Sequence, residues 1–125
     1  MKKLLFVLLV LPVIFLVSCG SNSFEVITAG VGKEMMDNDS TIVLVDVREP
    51  SEYQEEHIPG AILLSLGDID SRAETVLEDK TVTYIVYCRS GNRSNEAAQK
   101  LVALGYESIY DMGGIIDWPY TTVSS

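Results

Sequence analysis

Thr81-Val82-Thr83-Tyr84-Ile85-Val86-Tyr87 runs straight into Cys88-Arg89-Ser90-Gly91-Asn92-Arg93 and then into the segment Ser94 to Leu104. The first stretch is β-branched and aromatic without a charge, which suits a strand covered on both faces. The last places Ala97, Ala98, Leu101, Val102 and Leu104 on one side, and Gly105 follows it. That is the pattern of an amphipathic helix with a glycine stop. A buried strand, a short loop and an amphipathic helix in immediate succession form half of a parallel strand–helix–strand unit.

The same alternation extends in both directions. Strands are expected at Phe24–Thr28, Thr41–Val47 (TIVLVDV), Ala61–Leu64 and Ser108–Asp111. Helices are expected at Gly30–Asn38, with Val31, Met35 and Met36 inward, at Pro50–Glu56, and over most of Leu66–Glu78. Pro50 stands where a first helical residue would, and Glu52, Glu55 and Glu56 follow it. Gly114–Trp118 reads as a closing helical turn. The implied class is α/β, a parallel sheet with helices on both faces. In such sheets the site lies beyond the carboxyl ends of the strands. That rule selects Asp46-Val47-Arg48 after the second strand and Cys88 onward after the fourth.

The chain has 125 residues, 9 Lys+Arg against 18 Asp+Glu, and a formal charge of −9. Its length allows one small domain. The acidic balance argues against nucleic-acid binding, which needs a basic face. Two cysteines make neither a disulfide framework nor a four-thiolate zinc site, and no metal or cofactor is expected.

The N-terminus differs from the rest. Met1-Lys2-Lys3 is basic, and Leu4 to Val17 is apolar throughout. That apolar run falls short of the roughly 20 residues that span a bilayer and reads as a secretory signal. Leu16-Val17-Ser18-Cys19 resembles the lipobox of bacterial lipoproteins. The resemblance implies a signal peptide over 1–18, cleavage before Cys19, lipidation of Cys19 and an extracytoplasmic protein held to a bacterial membrane. Residues 19–23 are then a polar tether, and 24–125 the folded domain. Removing Lys2 and Lys3 takes the formal charge from −9 to −11.

Inside this acidic chain the Cys88 loop is locally basic. A thiol at this position sits where backbone N–H groups converge on a helix start. Successive N–H groups form an anion-binding nest, and Gly91 permits the positive φ that such a loop uses. Arg89 and Arg93 add charge, and all of these influences favour thiolate over thiol. The same loop would hold an anion against the sulfur. Glu49, Glu52, Glu55 and Glu56 are expected on a solvated helix face, serving solubility.

Asp46-Val47-Arg48, His57-Ile58-Pro59-Gly60-Ala61, Tyr87-Cys88-Arg89-Ser90-Gly91-Asn92-Arg93-Ser94 and Gly113-Gly114…Trp118 together resemble the single-domain rhodanese family. The match runs in order from about Phe24 to Tyr120. The resemblance implies a rhodanese-like five-stranded parallel sheet and a sulfurtransferase. Cys88 would take a sulfane sulfur from thiosulfate or a related small anionic donor and hold it as a persulfide. It would then pass the sulfur to a thiol, cyanide or a protein acceptor. The resemblance assigns Cys88 as catalytic residue, and the backbone of Arg89, Ser90, Gly91, Asn92 and Arg93 as the persulfide cradle. Arg89 and Arg93 would hold the donor, with Arg93 also ordering the loop, and Asp46 and Arg48 would support it. His57 belongs to a turn before the third strand, and Trp118 to the core.

Phosphatases of the same fold carry a His before the Cys and a loop one residue longer, whereas Tyr87 precedes Cys88 here. A non-catalytic sulfur carrier or protein-binding module on the same scaffold is the alternative from a different class, and such modules usually lack the cysteine that this chain keeps.

Overall fold

In a computed structural model that describes residues 23–125, the Thr83–Cys88 run is the middle strand of a five-stranded, wholly parallel sheet. The strands are β1 (Glu25–Val26), β2 (Val43–Asp46), β3 (Ile62–Leu63), β4 (Thr83–Cys88) and β5 (Ser108–Gly114), in spatial order β1-β5-β4-β2-β3. The helices are α1 (Ala29–Asn38), α2 (Pro50–Glu55), α3 (Ile69–Val76) and α4 (Asn92–Ala103). The segments expected to be a signal peptide (1–18), a lipidated Cys19 and a tether (through Asn22) lie outside the described residues.

Alternation along β4 divides the core in two, as the period of a strand requires. Tyr84, Val86 and Cys88 pack with Val45, Val47 and Ile109 against Ile69, Ala73, Ala97, Ala98 and Leu101 of α3 and α4. Ile85 and Tyr87 point the other way, toward Leu44, Ile58 and Met112, with Met35, Met36, Tyr53 and Trp118 outside them. Helices therefore cover both faces, as expected. Burial of each large aliphatic side chain contributes about 1.5–3 kcal/mol. The fourth helix is thus fixed by its Ala97–Ala98–Leu101 face, and with it the loop that precedes it.

The α/β class and the strand–helix order are as the sequence indicates, and several bounds differ. The second strand is shorter than Thr41–Val47, because Thr41 turns on the Asp39 carboxylate, which accepts from its amide at 2.9 Å. The segment after β3 begins as a 3-10 turn, Leu66–Asp68, before α3. On α1, Val31 is exposed and Gly32 is the buried residue, so the helix lies closer to Met112 than a Val31 contact would allow. The last strand does not stop at Asp111 but continues to Gly114. A register shift between Val86 and Cys88 sets Cys88 opposite Gly114. Irregularities of this kind re-aim residues beside functional sites.

Candidate active site

Cys88 is the last residue of β4 and is 1% exposed. Its Sγ accepts a hydrogen bond from the Gly91 amide at 3.0 Å. Gly91 has φ +109° and directly precedes α4. That left-handed conformation, which glycine adopts without a steric penalty, folds the loop back so that its amide meets the sulfur. The amides of the first turn of α4 have no acceptor within the helix, which leaves a field favourable to negative charge around Sγ.

Ser94 also meets the sulfur and is fully buried. The Cys88 thiol donates to Ser94 Oγ at 3.5 Å, and the Ser94 hydroxyl has the carbonyls of Gly91 and Gly113 at 3.1 and 3.3 Å. A small hydroxyl directly after Arg93 is the signal that could have marked Ser94 as part of the site. Gly114 supports the loop from below. A Cβ built on it would fall inside the Arg89 carbonyl and the Ser90 Cα, and the Ile116 amide donates to the Arg89 carbonyl at 3.3 Å. The Gly113-Gly114 pair therefore seats the cysteine loop on the end of β5.

Arg89, Ser90 and Asn92 are exposed and form the outer lip of the loop. Among the described residues Arg89 has no ion pair, and its guanidinium is free to meet a ligand. Arg93 differs from the expectation of a donor-binding arginine. Its Nη1 and Nη2 donate to Oε2 and Oε1 of Glu52 at 2.6 and 2.9 Å. The pair joins α4 to α2 and orders the loop. The Arg93 guanidinium holds the Glu52 carboxyl down at about 2, well below its ordinary value. Glu52 also accepts from the Glu49 amide at 2.9 Å. The expectation that this acid only decorates a solvated face is corrected. Glu55 and Glu56 do stay exposed.

Asp46 and Arg48 form a buried fork at the neighbouring strand end. Arg48 Nε lies 3.1 Å from both Asp46 oxygens and Nη2 lies 2.8 Å from Oδ2, while the Arg48 amide donates to Oδ1 at 2.9 Å. Arg48 Nη2 also donates to the Glu56 carbonyl, and the Arg48 carbonyl accepts from Ser65 at 2.8 Å. Bidentate geometry of this kind fixes both partners. It ties the ends of β2, α2 and β3 beside the cysteine loop. The Tyr87 phenol accepts from the Ile58 amide at 3.1 Å, and burial, then the Asp46 charge, push its pKa upward.

His57 is engaged away from the sulfur. Its ring stacks on Tyr53 with centroids 3.8 Å apart, its Nδ1 lies 2.7 Å from the Tyr53 carbonyl, and its backbone bridges Val123. Trp118 packs at the edge of the second core cluster and lines a 630 Å³ groove with Lys33, Met36 and Tyr120. That groove has no residue of the cysteine loop. The cleft that borders the loop is smaller, 440 Å³, and is lined by Arg48, Glu52, Glu55, Glu56, Arg89, Ile115 and Ile116.

A cysteine at a strand end, held by a loop amide at a helix start in a five-stranded parallel sheet, defines a thiol-centred α/β domain. The chain belongs to the rhodanese-like family: the model of the rhodanese-like domain matches residues 28–119. It is 40% identical over 73 residues to the thiosulfate sulfurtransferase PspE of Escherichia coli, covering 58% of this chain and 70% of that one. It is 33% identical over 99 residues to YrkF of Bacillus subtilis, provisionally named a sulfur carrier, covering 78% of this chain and 52% of that protein. A solved structure described as a rhodanese with anions from E. coli superposes with a TM-score of 0.63 at 36% identity, covering 67% of this chain and 99% of that one.

Proposed function

We propose that the protein is a sulfurtransferase that carries sulfur as a Cys88 persulfide. The observation that carries this reading is the Gly91 amide 3.0 Å from Cys88 Sγ at the start of α4. A donor aimed at the sulfur stabilises the thiolate, and later the persulfide anion, without a metal. Kinship with PspE supports the same reading.

The reaction takes two displacements. The Cys88 thiolate attacks the outer sulfur of thiosulfate. A bond forms between the two sulfurs, the sulfur–sulfur bond of thiosulfate breaks, and its electron pair leaves with sulfite. The persulfide on Cys88 then gives up its terminal sulfur to a thiophile such as cyanide or a thiol, which restores the thiolate. Negative charge is carried by sulfur throughout, so the loop amides act on every state. Arg89, exposed on the lip, receives the donor's anionic end. Ser90, Gly91, Asn92 and Arg93 complete the cradle, and the Asp46–Arg48 fork holds the adjoining strand end. Because Cys88 is 1% exposed, a donor that presents a terminal sulfur suits the site better than a bulky one.

The lipobox sequence Leu16-Val17-Ser18-Cys19 supports an extracytoplasmic protein anchored to a bacterial membrane through lipid on Cys19. A sulfur carrier that hands its persulfide to a partner protein is the second reading, supported by the likeness to YrkF. Thiocyanate formation from thiosulfate and cyanide tests the enzyme. The wild type should turn over, Cys88→Ser should not, and Arg89→Ala should raise KM for thiosulfate. Equal activity of wild type and Cys88→Ser would remove the catalytic assignment.

A further inference from the structure

The cleft beside the cysteine loop is lined by three acidic residues, Glu52, Glu55 and Glu56, and two arginines, Arg48 and Arg89. Arg93 is not among its lining residues. Glu52 does both: it lines the cleft, and its carboxylate holds both Nη atoms of Arg93. The charge of Arg93 is thereby spent on Glu52. Arg48 is likewise neutralised by Asp46, outside the cleft lining. What remains of the charged lining is one arginine, Arg89, and two acids, Glu55 and Glu56, a balance that disfavours a dianion.

We propose that Glu52 sets donor selectivity, masking Arg93 so that the cleft favours sulfane donors with a single negative charge over dianionic thiosulfate. Persulfides and thiosulfonates are donors of that class. With a thiosulfonate the Cys88 thiolate bonds to the outer sulfur, the donor's sulfur–sulfur bond breaks, and the electron pair leaves with a sulfinate. The proposal rests on the sulfurtransferase reading above and names the substrate class of that site.

The test compares thiosulfate with methanethiosulfonate, cyanide being the acceptor in both, for the full chain in detergent and its Glu52→Gln variant. Glutamine keeps an oxygen for Arg93 and removes the charge. Coulomb energy scales with ligand charge, so the logarithm of the KM change should be twice as large for the dianion. At low salt KM should fall about tenfold for thiosulfate and about threefold for methanethiosulfonate. Unchanged KM values, or equal factors for both donors, would overturn the proposal while leaving the sulfurtransferase reading intact. Should Glu52→Gln fail to fold, the wild type supplies the answer. Its kcat/KM should rise with ionic strength more steeply for thiosulfate than for methanethiosulfonate, as screening relieves repulsion of the dianion more, and a fall, or equal slopes, would overturn the proposal. No turnover of either donor by the wild type would remove the sulfurtransferase reading and this proposal with it.

Discussion

The backbone of Gly114 lies directly against the Arg89 carbonyl, with no space for a Cβ between them. The cysteine loop is therefore seated on the last strand, and its shape depends on a residue far from it in sequence. Gly114→Ala should push the loop off β5. The expected loss is about 1–3 kcal/mol, typical of overpacking, together with a lower rate of thiocyanate formation. Urea denaturation and the cyanide assay check this, and wild-type values in both would contradict it.

The Asp46–Arg48 fork should matter more to stability. Arg48 is 5% exposed and Asp46 fully buried, so removing the carboxylate strands a buried guanidinium. Asp46→Ala should cost about 3–5 kcal/mol. A loss under about 1 kcal/mol by denaturant unfolding would show that Arg48 finds another partner or water.

Acid should loosen the clamp between α2 and α4. Arg93 lowers the Glu52 carboxyl from 4.5 to about 2. A carboxyl more acidic in the folded state gives stability that is complete above its unfolded value and fades as pH falls toward the folded one. The clamp's contribution, roughly 1–3 kcal/mol, should therefore be present at pH 7 and lost between about pH 5 and 2. Glu52→Gln should flatten that part of the stability–pH curve. An unchanged acid limb would mean that the pair adds nothing to folding.

The pieces that the sequence makes legible are local ones. The β4–loop–α4 unit could be read because its apolar period changes from strand to helix within a few residues, with Cys88 and Gly91 at the junction. Class and strand–helix order follow from repetition of that pattern. What escaped depends on partners distant in the chain. Arg93 meets Glu52 across 41 positions, and nothing local to either residue records the meeting, so Arg93 reads as a ligand for substrate and Glu52 as a surface acid. The last strand reads as ending at Asp111, with Gly114 opening a closing turn, in keeping with the weakness of glycine in strands. Pairing of Gly114 with Cys88 carries β5 through it. Ser94 reads as the start of a helix, and its buried place beside the sulfur emerges once α4 packs on the sheet.

The proposed lipobox at Leu16-Val17-Ser18-Cys19 makes its own prediction. Mass spectrometry of the native protein should find an N-terminus at a lipid-modified Cys19. An intact Met1, or an unmodified Cys19, would contradict the anchored form.

The mass of the Cys88 peptide after incubation of the protein with thiosulfate tests the central claim most directly. A persulfide carrier gains one sulfur atom on Cys88, loses it again on addition of cyanide, and gains none as the Cys88→Ser variant. An unchanged Cys88 peptide, or an equal gain of sulfur in the variant, would contradict the account.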